Sequence, residues 1–413
     1  MKGTVIIRAA LLIAAAAMLT NAQDNPGTWS KIASLPRARQ EMPGCHLDGK
    51  IYVAGGMNDG KTCCNALNWF EVYDISQDKW TELPNLPYAA NHVGMVGLNG
   101  KVYVMGGWLT GYGGTAQKRM EVFDVAAKTW SHGPDMPKAS AGPGVVVYKG
   151  KIYVFGGSED GAFDKSGHRN VQEYNPATNS WKIVNSSAPQ GKCHVGAGLI
   201  GDKVYICPGR PDKNGNRMND RSVQEFDFMK MDQGAAAWRQ MNPLQEPSKA
   251  LTGYMSNWPA VNGKLYYIGG EDGGWSAHKE CYEFAPDANG GSWRRINDYP
   301  TSIHGIGPVT VGNKIYVMGG AAGGGINNKT TNCYVYTIKG GAVAARKPQR
   351  TMSAALIGNS AADIEIVDIR GAVVARLKNR KLSTISNRLG AGSYYARLRT
   401  SKGIEIIRLA KVR

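Results

Sequence analysis

Between residues 49 and 340, apolar and polar positions alternate in short runs, and six of these runs share one spelling. They read GKIYVAGG at 49–56, GKVYVMGG at 100–107, GKIYVFGG at 150–157, DKVYICPG at 202–209, GKLYYIGG at 263–270 and NKIYVMGG at 313–320. A turn residue and a lysine precede alternating apolar positions, the pattern of a half-buried strand. The glycine pair predicts a strand end where the backbone needs unusual torsions or meets a close neighbour. The pairs begin at 55, 106, 156, 208, 269 and 319, so the unit recurs every 50–52 residues apart from one interval of 61. A period of this size points to an array of like units.

Each unit carries a second strand pattern: Glu71-Val-Tyr-Asp, Glu121-Val-Phe-Asp, Glu173-Tyr-Asn, Glu225-Phe-Asp and Glu283-Phe. A tryptophan follows, at Trp80, Trp130, Trp181, Trp238 and Trp293, and then in most units a Leu-Pro or Met-Pro step, as at Leu86-Pro87 and Met136-Pro137. The set resembles the kelch repeat over residues 28–340. That resemblance implies a β-propeller with one four-stranded blade per repeat, six blades in all. The fourth repeat departs from the pattern with Pro208-Gly209, and the sixth with Tyr334 in place of glutamate. The sixth also has no tryptophan after it, whereas the N-terminal stretch has an orphan, Trp29, followed by Leu35-Pro36. Residues 28–33 are therefore expected to supply the outer strand of the last blade, which closes the ring and removes two exposed sheet edges.

Beyond a linker at 341–362, alternating runs at 364–377, 389–400 and 404–412 are separated by polar turns and predict a small β-sandwich over 363–413. This tail is similar to the C-terminal sorting domains of type IX secretion cargo, which implies secretion machinery as a partner. At the other end, residues 1–22 read as a signal peptide. Lys2 and Arg8 form a basic segment ahead of an apolar stretch, Ala9 to Leu19, too short to span a bilayer, and Ala22 ends a small-residue site. The expected fold is thus all-β: a six-bladed kelch propeller at 23–340 and a small C-terminal β-sandwich. The expected location is outside the cell or on its surface, with no transmembrane segment in the mature chain.

Charge adds one distinction. Residues 341–413 carry +11 of the net +17 and the signal segment +2, so the repeats are close to neutral. With export expected and no nucleic-acid motif in the chain, nucleic acid is not an expected partner. The seven cysteines are too few and too scattered for a disulfide framework. Cys45 and Cys207 occupy core strand positions, while Cys63 and Cys64 fall in a loop.

The chain has no Gly-x-Ser-x-Gly elbow, no His-Glu-x-x-His and no phosphate loop, so no catalytic residue, metal or cofactor is assigned. Glu159-Asp160-Gly161 and Glu271-Asp272-Gly273 follow strand ends and read as solvated loop acids. Counting 14 residues back from each pair gives Glu41, His92, Gly142, His194, Met255 and Gly305, with His304 one residue further back. Counting 16 back gives Arg39, Ala90, Ser140, Lys192, Gly253 and Ile303. The kelch resemblance implies that this segment contributes to the propeller mouth. Arg39, His92, Lys192, His194 and His304 are the candidate mouth residues, either packing there or forming a polar ring for an anionic or hydroxylated ligand. The loops after the pairs add Trp108, Arg169, Arg210, Arg217 and Trp275, the composition of a sugar or protein contact surface. The expected function is an exported protein that binds a carbohydrate or a protein. The alternative, carried by resemblance, is a carbohydrate-active enzyme of the sialic-acid mutarotase or epimerase type.

Overall fold

The computed structural model describes residues 26–59, 64–110, 114–159, 167–211, 220–245, 256–272, 274–326 and 328–339, and the strands of a separate unit between 362 and 412. Each repeat forms a four-stranded antiparallel sheet. The first contains Gly44–Leu47, Lys50–Ala54, Phe70–Asp74 and Lys79–Glu82. The second and third run from Gly94–Leu98 to Thr129–His132 and from Gly144–Tyr148 to Ser180–Asn185. The fourth runs from Gly196–Ile200 to Trp238–Met241, and the fifth from Ala260–Val261 to Ser292–Ile296. The sixth combines Val309–Val311, Lys314–Met318 and Cys333–Ile338 with the N-terminal strand Gly27–Ile32. In that pairing Trp29 lies opposite Tyr336. The described helices are two short 3-10 turns, Phe228–Lys230 and Gly234–Ala237. No described helix is long and apolar enough to cross a membrane.

The repeated residues have repeated jobs. In the first five sheets the lysine that opens the second strand reaches a carboxylate on the third: Lys50 to Asp74, Lys101 to Asp124, Lys151 to Glu173, Lys203 to Glu225 and Lys264 to Glu283. The tryptophans join one sheet to the previous one. Trp80 Nε1 donates to Ala33 O at 2.9 Å, Trp130 to Pro84 O at 2.7 Å, Trp181 to Pro134 O at 2.9 Å and Trp293 to Asn242 O at 3.0 Å. Trp238 donates to the Asn185 side chain, and Trp29 to Asn297 O at 3.3 Å. The last of these bonds ties sheet six to sheet five.

The glycine pair serves the same joint from the inside. The second glycine's N–H donates to a carbonyl of the next sheet: Gly56 to Ala90, Gly107 to Ser140, Gly157 to Lys192, Gly270 to Ile303 and Gly320 to Arg39. The first glycine has positive φ and no room for a side chain: a Cβ on Gly156 would sit 2.5 Å from Lys192 O. Proline at 208 cannot supply the positive φ of the first glycine, the Gly209 N–H meets Asp220 Oδ2 at 3.4 Å, and the departure falls at the 61-residue interval. There the chain takes another course. Ser256 pairs in parallel with both Gly144 and Gly196, its Oγ accepts from Met95 N at 3.1 Å and donates to Met95 O at 3.2 Å, and Asn257 Nδ2 donates to Gly44 O. This short strand lies across the space between the first strands of sheets one to four. To one side of it, a cavity of about 250 Å³ is lined by first-strand residues of every sheet, including Cys45, Val96, Val146, Ala197, Ala260 and Val309.

Cys45 and Cys207 are buried thiols, as are Cys193, Cys281 and Cys333. Cys63 and the Cys64 side chain lie outside the described residues, as do the signal segment 1–22 and the linker 341–361. Four strands of the tail unit are described, and they form one antiparallel sheet in the order Val373–Arg380, Ala362–Asp368, Gly392–Thr400 and Gly403–Val412. The second layer of a sandwich is not among the described residues.

Candidate functional site

On the side where the glycine pairs lie, the residue that enters each sheet takes the left-handed conformation: Glu41 at φ 56°, His92 at 56°, Gly142 at 63°, His194 at 53°, Ser256 at 67° and Gly305 at 64°. Backbone bonds pass from one to the next: Glu41 N to Gly305 O, His92 N to Glu41 O, Gly142 N to His92 O and Val195 N to Gly142 O. In the fifth unit Met255, the residue that the offset gives, lies outside the described residues, and its neighbour Ser256 takes this conformation where the chain crosses toward sheets three and four. His304 keeps the one-residue offset counted in the sequence. It pairs with Ala321 as Asn91 pairs with Trp108, one residue earlier in the unit.

The two left-handed histidines meet. His92 Nε2 and His194 Nε2 are 2.9 Å apart, and Glu41 Oε2 lies 3.2 Å from the same His92 nitrogen. The proton positions follow from the partners. Asn91 Nδ2 donates to Thr110 O, which turns Asn91 Oδ1 toward His92 Nδ1 at 2.5 Å. That nitrogen therefore carries the proton, and Nε2 of neutral His92 is an acceptor, facing the His194 N–H and Glu41. Burial holds both imidazoles well below their usual pKa, and the Arg210 charge adds to the effect. Burial also raises the Glu41 carboxyl to about 8, and the nearby Glu271 charge acts in the same direction. Glu41 is thus a neutral acid beside a neutral base. Trp108 backs the group, its ring 4.5 Å from His92 and 5.6 Å from His194.

A second group faces the first. Glu271 takes the Arg210 guanidinium at 2.5 Å and lies 3.4 Å from His304 Nε2. His304 Nε2 and Gln40 Nε2 both donate to Gly325 O, at 2.8 and 3.1 Å. The acid pair of the fifth unit is therefore not solvated, as its loop position suggested: Glu271 and Asp272 are 2% and 0% exposed. Asp272 folds its own loop, accepting from Gly274 N and Ser276 N and meeting His278 at 3.1 Å.

The other expected residues divide. Arg39 and Lys192 are buried between sheets and already engaged, Arg39 with Glu71 and Lys192 with Asp220 at 2.5 Å and with Ser222. Trp108, expected on an exposed loop, is fully buried. Trp275 is 43% exposed, and the Arg210 guanidinium lies 5.3 Å from its ring centre. Arg169 is exposed, and Arg217 lies outside the described residues. Sequence reasoning passed over Glu41, Gln40 and Glu271. The signal for Glu41 was its offset, which it shares with His92 and His194.

A family model described as the KLHDC2/KLHL20/DRC7 Kelch-repeats domain matches residues 23–209 and 92–320. The Kelch-like protein terF of Aspergillus terreus is 27% identical over 299 residues, 71% of this chain; the chain spans about half of that relative, 52%. N-acetylneuraminate epimerase of Haemophilus influenzae is 25% identical over 333 residues, covering 73% of this chain and 79% of the relative. The solved structure of YjhT aligns with a TM-score of 0.60 at 17% identity, over 74% of this chain and 97% of that one.

Proposed function

The chain belongs to the kelch-repeat family, and from that premise we propose that its sheets are the blades of one six-bladed propeller. On this reading, the end holding Glu41, His92 and His194 binds a reducing sugar and interconverts its anomers. The observation that supports this is the acid–base pair: a protonated carboxyl 3.2 Å from the unprotonated nitrogen of an imidazole that a second histidine also faces, in a buried setting. Groups with pKa values pushed to opposite sides of neutrality suit simultaneous proton donation and removal. Glu41 gives a proton to the ring oxygen while His92 takes the proton of the anomeric hydroxyl. The ring C–O bond then breaks to give the open-chain carbonyl. Re-closure on the other carbonyl face returns both protons, so the step consumes nothing. Trp275 offers the partly exposed ring on which a sugar face stacks. Similarity to a protein named as a sugar epimerase supports the same reading.

Exchange spectroscopy by NMR on reducing sugars tests it. The full chain is expected to accelerate exchange between α and β signals, and Glu41→Gln and His92→Ala to abolish the acceleration. Unchanged exchange with folded wild-type protein overturns the assignment.

A second reading, a docking end for a protein, is favoured by the exposed Leu109 and Trp275 on loops of this end. Its test is capture of a cell-surface partner that Trp275→Ala releases. Both readings place the protein outside the cell. N-terminal sequencing of secreted material is expected to begin at Gln23, and deletion of 363–413 to retain the protein in the periplasm if the tail is the sorting signal.

A further inference from the structure

Two of the buried side-chain atoms without a partner at this end are carried by residues of adjoining sheets. Gln40 and His304, on sheets one and six, are each about 1% exposed. Both spend a donor on the same carbonyl, Gly325 O. Because a carbonyl only accepts, Nε2 of each side chain must carry hydrogen, which leaves Gln40 Oε1 as an acceptor and, in the neutral tautomer with that hydrogen, His304 Nδ1 as a second. Neither has a partner among the described residues. Gln40 Nε2 also lies 3.5 Å from Glu41 Oε1, which makes Oε2 the oxygen that carries the Glu41 proton. The seam between sheets six and one thus presents two buried acceptors and one acid hydroxyl.

The cations around it are engaged. Arg210 is bound to Glu271, Arg39 to Glu71 and Lys192 to Asp220, each carboxylate belonging to the protein. A ligand carboxylate would have to compete with Glu271, Glu71 or Asp220 for these cations. It would also set its own acceptor oxygens against Gln40 Oε1 and His304 Nδ1, and leaving a buried polar atom without a partner is unfavourable. Hydroxyl groups answer both acceptors.

We infer that the seam selects an uncharged polyhydroxylated sugar, donating hydroxyls to Gln40 Oε1 and His304 Nδ1, and disfavours sugars that carry a carboxylate. This rests on the carbohydrate reading above and narrows it. It also separates this chain from its relative named for N-acetylneuraminate, since neuraminate is an acid sugar.

The test is a matched pair series on the full chain by saturation-transfer NMR and calorimetry: glucose with glucuronate, galactose with galacturonate, and N-acetylmannosamine with N-acetylneuraminate. The neutral member of at least one pair is expected to bind roughly tenfold or more tightly, the scale of one well-buried hydrogen-bonded group. Gln40→Met and His304→Phe, each checked for a native melting transition, are expected to reduce that preference. Tighter binding of the acid members overturns this inference and leaves the carbohydrate reading standing. Binding of neither class by folded wild-type protein overturns both. Neutral binding whose preference survives both substitutions places recognition elsewhere and overturns the assignment to the seam.

Discussion

Glu41 shows what burial does to one side chain. It is 4% exposed and faces Glu271, Arg210, Lys329, Gln40 and His92 from sheets five, four, six, one and two. The nearby carboxylate and the loss of water outweigh the cations, and the proton stays on to about pH 8. Unfolded, the same group releases its proton near 4.5. Between these values the folded chain holds the extra proton, so this group's contribution to stability is full below about pH 4.5 and is lost as pH rises through about 8. Glu41→Gln is expected to flatten the decline in urea-unfolding free energy over that window. An unchanged slope would mean that Glu41 is ionised in the native state. The neutral histidines act in the opposite direction: their pKa values lie below the unfolded one, so their contribution is present above about pH 6.5 and is lost as pH falls.

A sheet in this molecule is specified by how it meets the next one, and the repeated residues are those that make the joint. Gly156→Ala forces a side chain onto Lys192 O at a positive φ, and unfolding measurements are expected to show a loss of about 1–3 kcal/mol. Trp181→Phe keeps the ring but removes the donor to Pro134 O, with an expected loss of about 1 kcal/mol. Wild-type stability in either variant would contradict the role given to the joint. These joints explain why the architecture was legible. Lysine, paired glycine and tryptophan each do one job at a fixed offset, so the period carries the strand order with it. The orphan Trp29 is legible for the same reason, since its indole completes the series at Asn297. The site was legible only in part. Offsets located His92, His194 and Glu41 but gave no sign that Glu41 outranks Arg39, whose charge is already taken by Glu71. They also missed the inward turn of Glu271, which depends on a loop whose course no local pattern encodes.

At the scale of the whole chain, the N-terminal strand and the last repeat form one sheet although they lie about 300 residues apart. Deleting 23–35 removes the outer strand of sheet six and its bonds to sheet five. Calorimetry is expected to show loss of the single cooperative unfolding transition of the repeats, because every sheet leans on its neighbours. Loss confined to sheet six would contradict this. The strand at Ser256 bears on traffic through the proposed propeller. It touches the first strands of four sheets, so in the proposed propeller it would make the bore a blind alley, with the Glu41 and His92 group on one side and the hollow on the other. On the proposed sugar reading, whatever enters beside Trp275 would have to back out past Trp275, so a product still in the mouth would bar the next arrival, and a molecule lodged in the rear hollow would leave that doorway clear.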